Sequence, residues 1–275
     1  MFKLNTNIIG MGDSGLYAVK EIVESGLLGA RTAVFCAQDS VGKSKAEYTF
    51  RSKYDFLEKA DIFFAPTNTA VFVLVDCSSS VEVSLACEIA FITTRMGAFS
   101  VAVSLMPSSN TQEYSESLEN LDELRSAFDG IVRFNEGYID SFSKECVRFF
   151  EVLSRAMDSE AISVFDGFDN IKKLFERKKD VYFASVESKE NMDSHEYNAK
   201  CLELRLCHQT YVDTANTLAF FYASGGGVNK KILDTYSNPI RKVNIAFMND
   251  VRTYISDNNL ELGIGEFVFA VMCAE

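Results

Sequence analysis

Three glycines near the start of the chain, Gly10, Gly12 and Gly15, have the spacing of a phosphate-binding turn. They follow an apolar run, Leu4–Gly10, and precede a helical pattern, Leu16–Gly26. Glycine lets backbone N–H groups approach a pyrophosphate, and the N-terminus of a helix favours negative charge. The turn is therefore a candidate binding site for a nucleotide phosphate.

Two polar residues inside this turn, Asp13 and Ser14, bear on that interpretation. Both are counted among the candidate nucleotide-binding residues. The carboxylate of Asp13 would repel a phosphate unless a metal or another cation lay between them. A tight strand-to-helix turn without any ligand therefore remains the alternative.

A second polar run, Asp76 to Ser80, follows the apolar segment Ala70–Val75. Its hydroxyls, on Ser78, Ser79 and Ser80, could cap the helix predicted to follow or contact an anion. The sequence leaves both alternatives open.

A pair of carboxylates, Asp166 and Asp169, lies at the start of a predicted helix in the second half of the chain. Acids at this position can cap the helix and are favoured by its dipole, so a purely local role is the alternative to a functional one. Neither of the two histidines belongs to a recognisable pattern with a nucleophile and an orienting acid. The sequence therefore does not predict a hydrolase triad.

Composition narrows the possible functions. The 275 residues include 27 Lys and Arg against 39 Asp and Glu, a formal net charge of −12. This charge argues against direct binding of nucleic acid and against docking on anionic lipid.

Seven cysteines without a C-x-x-C pair are typical of reduced core residues, and no metal site is expected. With no signal peptide or apolar run of about 18 residues visible, we expect a cytoplasmic protein.

Short apolar runs alternate with helical patterns in the first half of the chain. This alternation predicts a Rossmann-like parallel sheet with right-handed crossovers. The predicted strands are Leu4–Gly10, Thr32–Cys36, Ala70–Val75, Phe99–Leu105 and Gly130–Phe134. The predicted helices are Leu16–Gly26, Val83–Met96 and Glu116–Phe128.

A longer helix, Tyr138–Met157, carries a wide apolar stripe and contains neither Gly nor Pro. We expect it to be buried between two layers. The remaining sequence predicts a smaller α+β region. Its helices are predicted at 168–175, 196–206 and 232–255, its strands at 181–186 and 217–222, and a terminal strand or hairpin at 260–272. The predicted organisation is a Rossmann-like domain over 1–137, a central helix over 138–158 and a second domain over 159–275.

The order of these segments resembles the FtsZ branch of the tubulin superfamily, over nearly the whole chain. Five segments carry the resemblance. They are 7–26 with NIIGMGDSGLYAV and IVESG, 70–105 with RMGAFSV, 121–135 with LDELR and IVRFN, 166–171 with DGFDNI, and 221–265 with SDNN. It implies an α/β fold of the tubulin/FtsZ type, with a GTP-binding half, a long central helix and a smaller α+β half. It also implies head-to-tail filaments, in which Asp166 and Asp169 of one subunit complete the GTPase site of the next.

The phosphate-binding signature departs from the family pattern. The family's G-G-G-T-G-[ST]-G aligns with SSSVEVS at 78–84, which contains no glycine and adds the negative charge of Glu82. The acidic loop keeps Asp166 and Asp169 but lacks the family's asparagine. The resemblance therefore predicts a degenerate GTPase that acts as a cytoskeletal or scaffold subunit. It would self-assemble or bind a tubulin-like relative, need no cofactor, and reach membranes only through an adaptor.

Two alternatives remain. The first is a weakly active FtsZ-like GTPase that forms filaments and binds GTP or GDP with Mg²⁺. The second is an NAD(P)-dependent oxidoreductase that uses Gly10, Gly12 and Gly15, with Asp39 as a candidate ligand of the ribose. The second half offers no visible acid/base constellation for that chemistry. The nucleotide retained on gentle purification would distinguish these possibilities.

Overall fold

The computed structural model describes residues 6–26, 30–36, 45–64, 70–139, 141–156, 180–188, 216–223 and 267–274. The chain divides into two compact units. The first comprises Met1–Ser154 and Phe175–Asp180, and the second comprises Arg155–Leu174 and Val181–Glu275.

The described strands of the first unit form a parallel sheet in the order β3-β2-β1-β4-β5-β6. They are β1 (Thr6–Met11), β2 (Ala30–Phe35), β3 (Tyr48–Phe50), β4 (Ala70–Asp76), β5 (Phe99–Met106) and β6 (Gly130–Asn135). The parallel arrangement predicted from the alternating pattern is confirmed. It follows from the helices that connect the strands, because a parallel pair needs a long crossover connection.

Five described helices follow these strands in the chain: α1 (Gly12–Glu24), α2 (Lys53–Phe63), α3 (Ser80–Arg95), α4 (Tyr114–Ala127) and α5 (Phe142–Ala156). The predicted strands and helices of the first half are all present, with ends that differ by a few residues. One strand and one helix, β3 and α2, lie in a stretch for which the sequence pattern predicted no element.

The central strand β4 is buried on both faces, as its continuous apolar run predicts. On one side of the sheet, phenylalanines from β2, β3 and α2 pack together with ring centroids 5.1–6.0 Å apart. Elsewhere Phe72 of β4 packs against Phe149 and Phe150 of α5, with centroid distances of 5.9 and 5.2 Å. The first unit therefore has a large aromatic core.

The predicted start of the long helix at Tyr138 is wrong, because α5 begins at Phe142. The preceding residues form a short 3-10 helix, Glu136–Tyr138, and Ile139 then has an extended backbone. The first helical turn is closed by the Glu145 amide, which donates to the Ser141 carbonyl. The predicted apolar stripe is confirmed where α5 is described, since Cys146, Phe149, Phe150 and Leu153 are buried.

A buried ion pair holds Asp180, the last residue of the first unit, in place. Asp180 is only 2% exposed and accepts two hydrogen bonds from Arg125 of α4, from Nε at 2.9 Å and from Nη2 at 2.6 Å. Arg133 of β6 approaches the same carboxylate at 3.7 Å. On its opposite side, Arg125 also bonds to the exposed carboxylate of Asp122.

The second unit contains three described strands, β7 (Asp180–Ser188), β8 (Asn216–Ala223) and β9 (Phe267–Ala274). They pair antiparallel in the order β7-β9-β8. The strands predicted at 181–186 and 217–222 are confirmed, and the strand predicted within 260–272 is present as β9. The helices predicted at 168–175, 196–206 and 232–255 lie outside the described residues.

Candidate functional site

The glycine turn and the serine run lie side by side at one edge of the sheet. Strand β1 pairs with β4 in parallel, with Gly10 opposite Leu74, so the loops that follow both strands leave the sheet at the same end. In open α/β sheets this carboxyl edge is where ligands bind. The structure thus brings together the two loops that the sequence analysis selected.

Gly10 and Gly15 are required by the packing of the chain on itself. A Cβ atom on Gly10 would collide with the carbonyl of Gly15 and lie 3.0 Å from a methyl group of Val19. A Cβ atom on Gly15 would lie 2.8 Å from the backbone of Gly10 and from the Leu74 carbonyl oxygen. The absence of both side chains lets the first turn of α1 press against β1 and β4.

Gly12 has a different role, because it faces a carboxylate. Its φ angle is +59°, in the left-handed region that favours glycine, and it opens α1. The space that a Cβ atom would occupy is filled by the side chain of Glu82, whose Oε2 lies 2.6 Å from that position. Glu82 belongs to the first turn of α3 and covers the turn where a phosphate would have to approach.

Asp76, at the end of β4, joins the two loops. Its Oδ1 accepts hydrogen bonds from the amide and the hydroxyl of Ser78, at 2.9 and 2.7 Å. Its Oδ2 accepts a bond from the hydroxyl of Ser14 at 3.2 Å. Asn120 of α4 supports the second loop by donating to the Cys77 carbonyl at 2.8 Å. The sequence predicts Ser14 and Ser78 as site residues but not Asp76, which connects them.

The other two serines of the run, Ser79 and Ser80, lie at the start of α3, as polar residues at an ordinary helix N-terminus do. Ser79 is the N-cap of α3, and its hydroxyl accepts from the Glu82 amide at 3.4 Å. Ser80 is the first residue of α3 and is exposed. Of the two alternatives for this run, capping is therefore confirmed for Ser79.

The site is strongly negative. Glu82 and Asp76 are half-buried and Asp13 is exposed in the first turn of α1. Burial raises the pKa of the Glu82 carboxyl to about 7, and the charges of Asp76 and then Asp13 add to this effect. Within the described ranges, no residue donates a hydrogen bond to the carboxyl group of Glu82, and no positively charged side chain pairs with it. In the same ranges no group of three His, Cys, Asp or Glu side chains is arranged to hold a metal ion.

Three candidate residues, Asp39, Asp166 and Asp169, lie outside the described residues. Their proposed roles stay predictions.

The described helices include none that is both long and apolar enough to cross a bilayer.

Sequence comparison finds no match for this chain among protein families. It finds none among curated proteins either. Comparison of structures does find matches. FtsZ from M. jannaschii is 13% identical with a TM-score of 0.76, covering 99% of this chain and 91% of that one. CetZ2 from Haloferax volcanii, as a GTPγS-bound protofilament, is 12% identical with a TM-score of 0.68, covering 98% and 93%. TubZ from Bacillus thuringiensis serovar israelensis, in GDP-form protofilaments, is 11% identical with a TM-score of 0.70, covering 100% and 86%.

Proposed function

We propose that this chain, which has the tubulin/FtsZ fold, is a cytoskeletal or scaffold subunit in which GTP binding and hydrolysis are lost or weak. The observation that carries the proposal is the position of Glu82, whose side chain covers Gly12 in the turn where the family's fold would receive phosphates. Assembly, rather than nucleotide turnover, is then the property that the fold retains.

Electrostatic magnitudes support the loss of phosphate binding. The N-terminus of a helix attracts an anion by about 0.3–1 kcal/mol, and by about 2 kcal/mol in a partly buried site. Two like unit charges about 4 Å apart repel by about 4 kcal/mol at an effective dielectric constant of 20. A phosphate at this edge would meet Asp13 and Asp76 even with Glu82 protonated. Repulsion therefore exceeds the attraction of the helix unless a cation is supplied.

The known assemblies of this fold support self-association. Two of the matching structures are protofilaments, of CetZ2 and of TubZ. We propose that this chain likewise associates head to tail, with itself or with a tubulin-like relative, and reaches a membrane only through an adaptor. In this arrangement Asp166 and Asp169 of one subunit would face the serine run of the next.

Among the three serines, Ser80 is the best placed for such a contact. The Ser78 hydroxyl already donates to Asp76, and Ser79, whose hydroxyl accepts from the Glu82 amide, is half-buried. Ser80 is exposed at the helix start. A hydroxyl-to-carboxylate hydrogen bond across the junction would contribute about 1.5–3 kcal/mol if it is desolvated.

Titration with nucleotides tests the lost binding site. Calorimetry with GTP or GDP, with and without Mg²⁺, is expected to show no binding at roughly 100 μM ligand. CetZ2 titrated with GTPγS is the positive control, because its structure contains that nucleotide. A micromolar Kd for GTP would instead support the weakly active GTPase. Retention of NAD(P) would support the oxidoreductase that uses Gly10, Gly12 and Gly15.

Substitution of both loop acids tests the junction. Asp166→Ala combined with Asp169→Ala is expected to abolish self-association in sedimentation velocity while the thermal midpoint changes little. If both acids only cap their own helix, each loss would cost about 1 kcal/mol of stability and association would be unchanged. The control is Asp61→Ala with Asp122→Ala, which removes the same charge from exposed positions on α2 and α4. Equal loss of association in the control would contradict a specific junction.

A further inference from the structure

The position of Glu82 is unusual for a carboxylate, because the charged groups that face it among the described residues are negative. The groups that face it are Asp13 from α1 and Asp76 from the end of β4. In the described part of the chain, no Lys, Arg or His pairs with the Glu82 carboxyl group, and neither carboxyl oxygen accepts a hydrogen bond. An ionised carboxylate is costly in a half-buried place of this kind, whereas a neutral carboxyl is not.

The same side chain is positioned by close contact. It fills the space over Gly12 that any other residue would occupy with its own Cβ atom. Its backbone is held separately, because the Glu82 amide donates to the Ser79 hydroxyl at the start of α3. The carboxyl group can therefore turn away from Gly12 toward solvent while α3 stays in place.

We infer that Glu82 covers Gly12 only while its carboxyl is protonated, and that ionisation turns the side chain into solvent and uncovers the glycine turn. Binding of one proton to Glu82 would then decide whether the glycine turn is covered, and we call this arrangement of the two loops the latch. The inference does not depend on whether this chain binds a nucleotide.

The pH range of the latch follows from its surroundings. Burial, with further contributions from Asp76 and Asp13, raises the pKa of Glu82 to about 7. The ionised fraction would rise from roughly one tenth at pH 6 to roughly nine tenths at pH 8. The covered form belongs to the acidic side of this range, since a raised carboxyl pKa favours the protonated form.

Hydrogen exchange of backbone amides tests the latch. In the wild-type chain, peptides that cover Met11–Leu16 and Ser78–Val83 are expected to lose protection by roughly tenfold between pH 6 and pH 8, after correction for intrinsic exchange. Glu82→Gln cannot ionise, so its protection should not change with pH. The matched control is Glu88→Gln, which removes a carboxylate from the same helix where it faces Lys53. This variant should respond as the wild type does.

Two results would overturn the inference. One is protection in the wild-type chain that does not change between pH 6 and pH 8. The other is a pH response that persists in Glu82→Gln. If that variant folds poorly, the carboxyl carbon of Glu82 can be titrated by NMR in the wild-type chain. A midpoint near the ordinary value for glutamate would then contradict the latch, and a midpoint near neutrality would support it.

Discussion

Replacing Asp180 with asparagine is expected to lower the free energy of unfolding by about 3 kcal/mol. The carboxylate is 2% exposed and neutralises Arg125 through two hydrogen bonds, while Arg133 approaches at 3.7 Å. Asparagine keeps the shape but removes the charge, so the guanidinium groups lose their buried counter-ion. Urea denaturation followed by circular dichroism measures the change.

The same arginine provides the control. Asp122 also pairs with Arg125, but its side chain is 71% exposed. Because exposed pairs contribute little, Asp122→Asn is expected to cost less than about 0.5 kcal/mol. Similar costs for the two substitutions would mean that burial does not determine the strength of this pair.

Gly10→Ala is expected to destabilise the protein by about 3 kcal/mol in the absence of any ligand. The new methyl group would collide with the Gly15 carbonyl, and backbone on both sides leaves little room to adjust. Urea denaturation of the purified, nucleotide-free protein measures this. The result would show that the glycine spacing serves helix-to-strand packing, whatever else it serves.

Gly12→Ala is the companion variant. Its φ of +59° costs an alanine about 1–2 kcal/mol, and the colliding atoms belong to the flexible side chain of Glu82. We therefore expect a smaller loss than for Gly10→Ala. If the Gly10→Ala protein is as stable as the wild type, the packing role of Gly10 is contradicted. Gly10 would then again be a candidate ligand-binding residue.

The strands of the first unit other than β3 could be predicted because each apolar run is separated from the next by a helical or polar stretch. Strand β5, for example, ends at Met106, just before Pro107. Three helices, α1, α3 and α4, were predicted to start too late, whereas α5 was predicted to start too early. Helix α1 begins at Gly12 and α3 at Ser80, where Leu16 and Val83 were expected. The first turn of α1 is polar, and in the first turn of α3 the apolar residue Val81 is exposed, so the buried apolar period becomes visible only one turn later.

The β3–α2 segment could not be predicted from periodicity, for two physical reasons. Strand β3 has only three residues, too few to show an alternating pattern. Helix α2 buries Phe56 and Phe63 but exposes Tyr54, at 68%, and Ile62, at 59%, so its apolar residues do not define one face. The tertiary packing of the phenylalanines, rather than any local pattern, determines this part of the sheet.

The candidate site could be predicted in outline but not in its connections. Parallel strands place the loops after β1 and β4 at one edge, which a sequence pattern can indicate. The direction taken by the Glu82 side chain depends on the left-handed backbone of Gly12, which lies in another element. The bonds of Asp76 to Ser14 and Ser78 likewise join residues that are distant in sequence. Such contacts are decided only once the sheet has formed.

The short strand β3 has a consequence for how copies of this chain could join. It is the outermost strand of the parallel sheet on its side and spans only Tyr48–Phe50. A strand from another molecule could align with no more than this brief stretch of backbone, and natural proteins use such short edges to resist sheet-to-sheet aggregation. This edge of the sheet should therefore offer little template for a cross-β fibril built from copies of the chain.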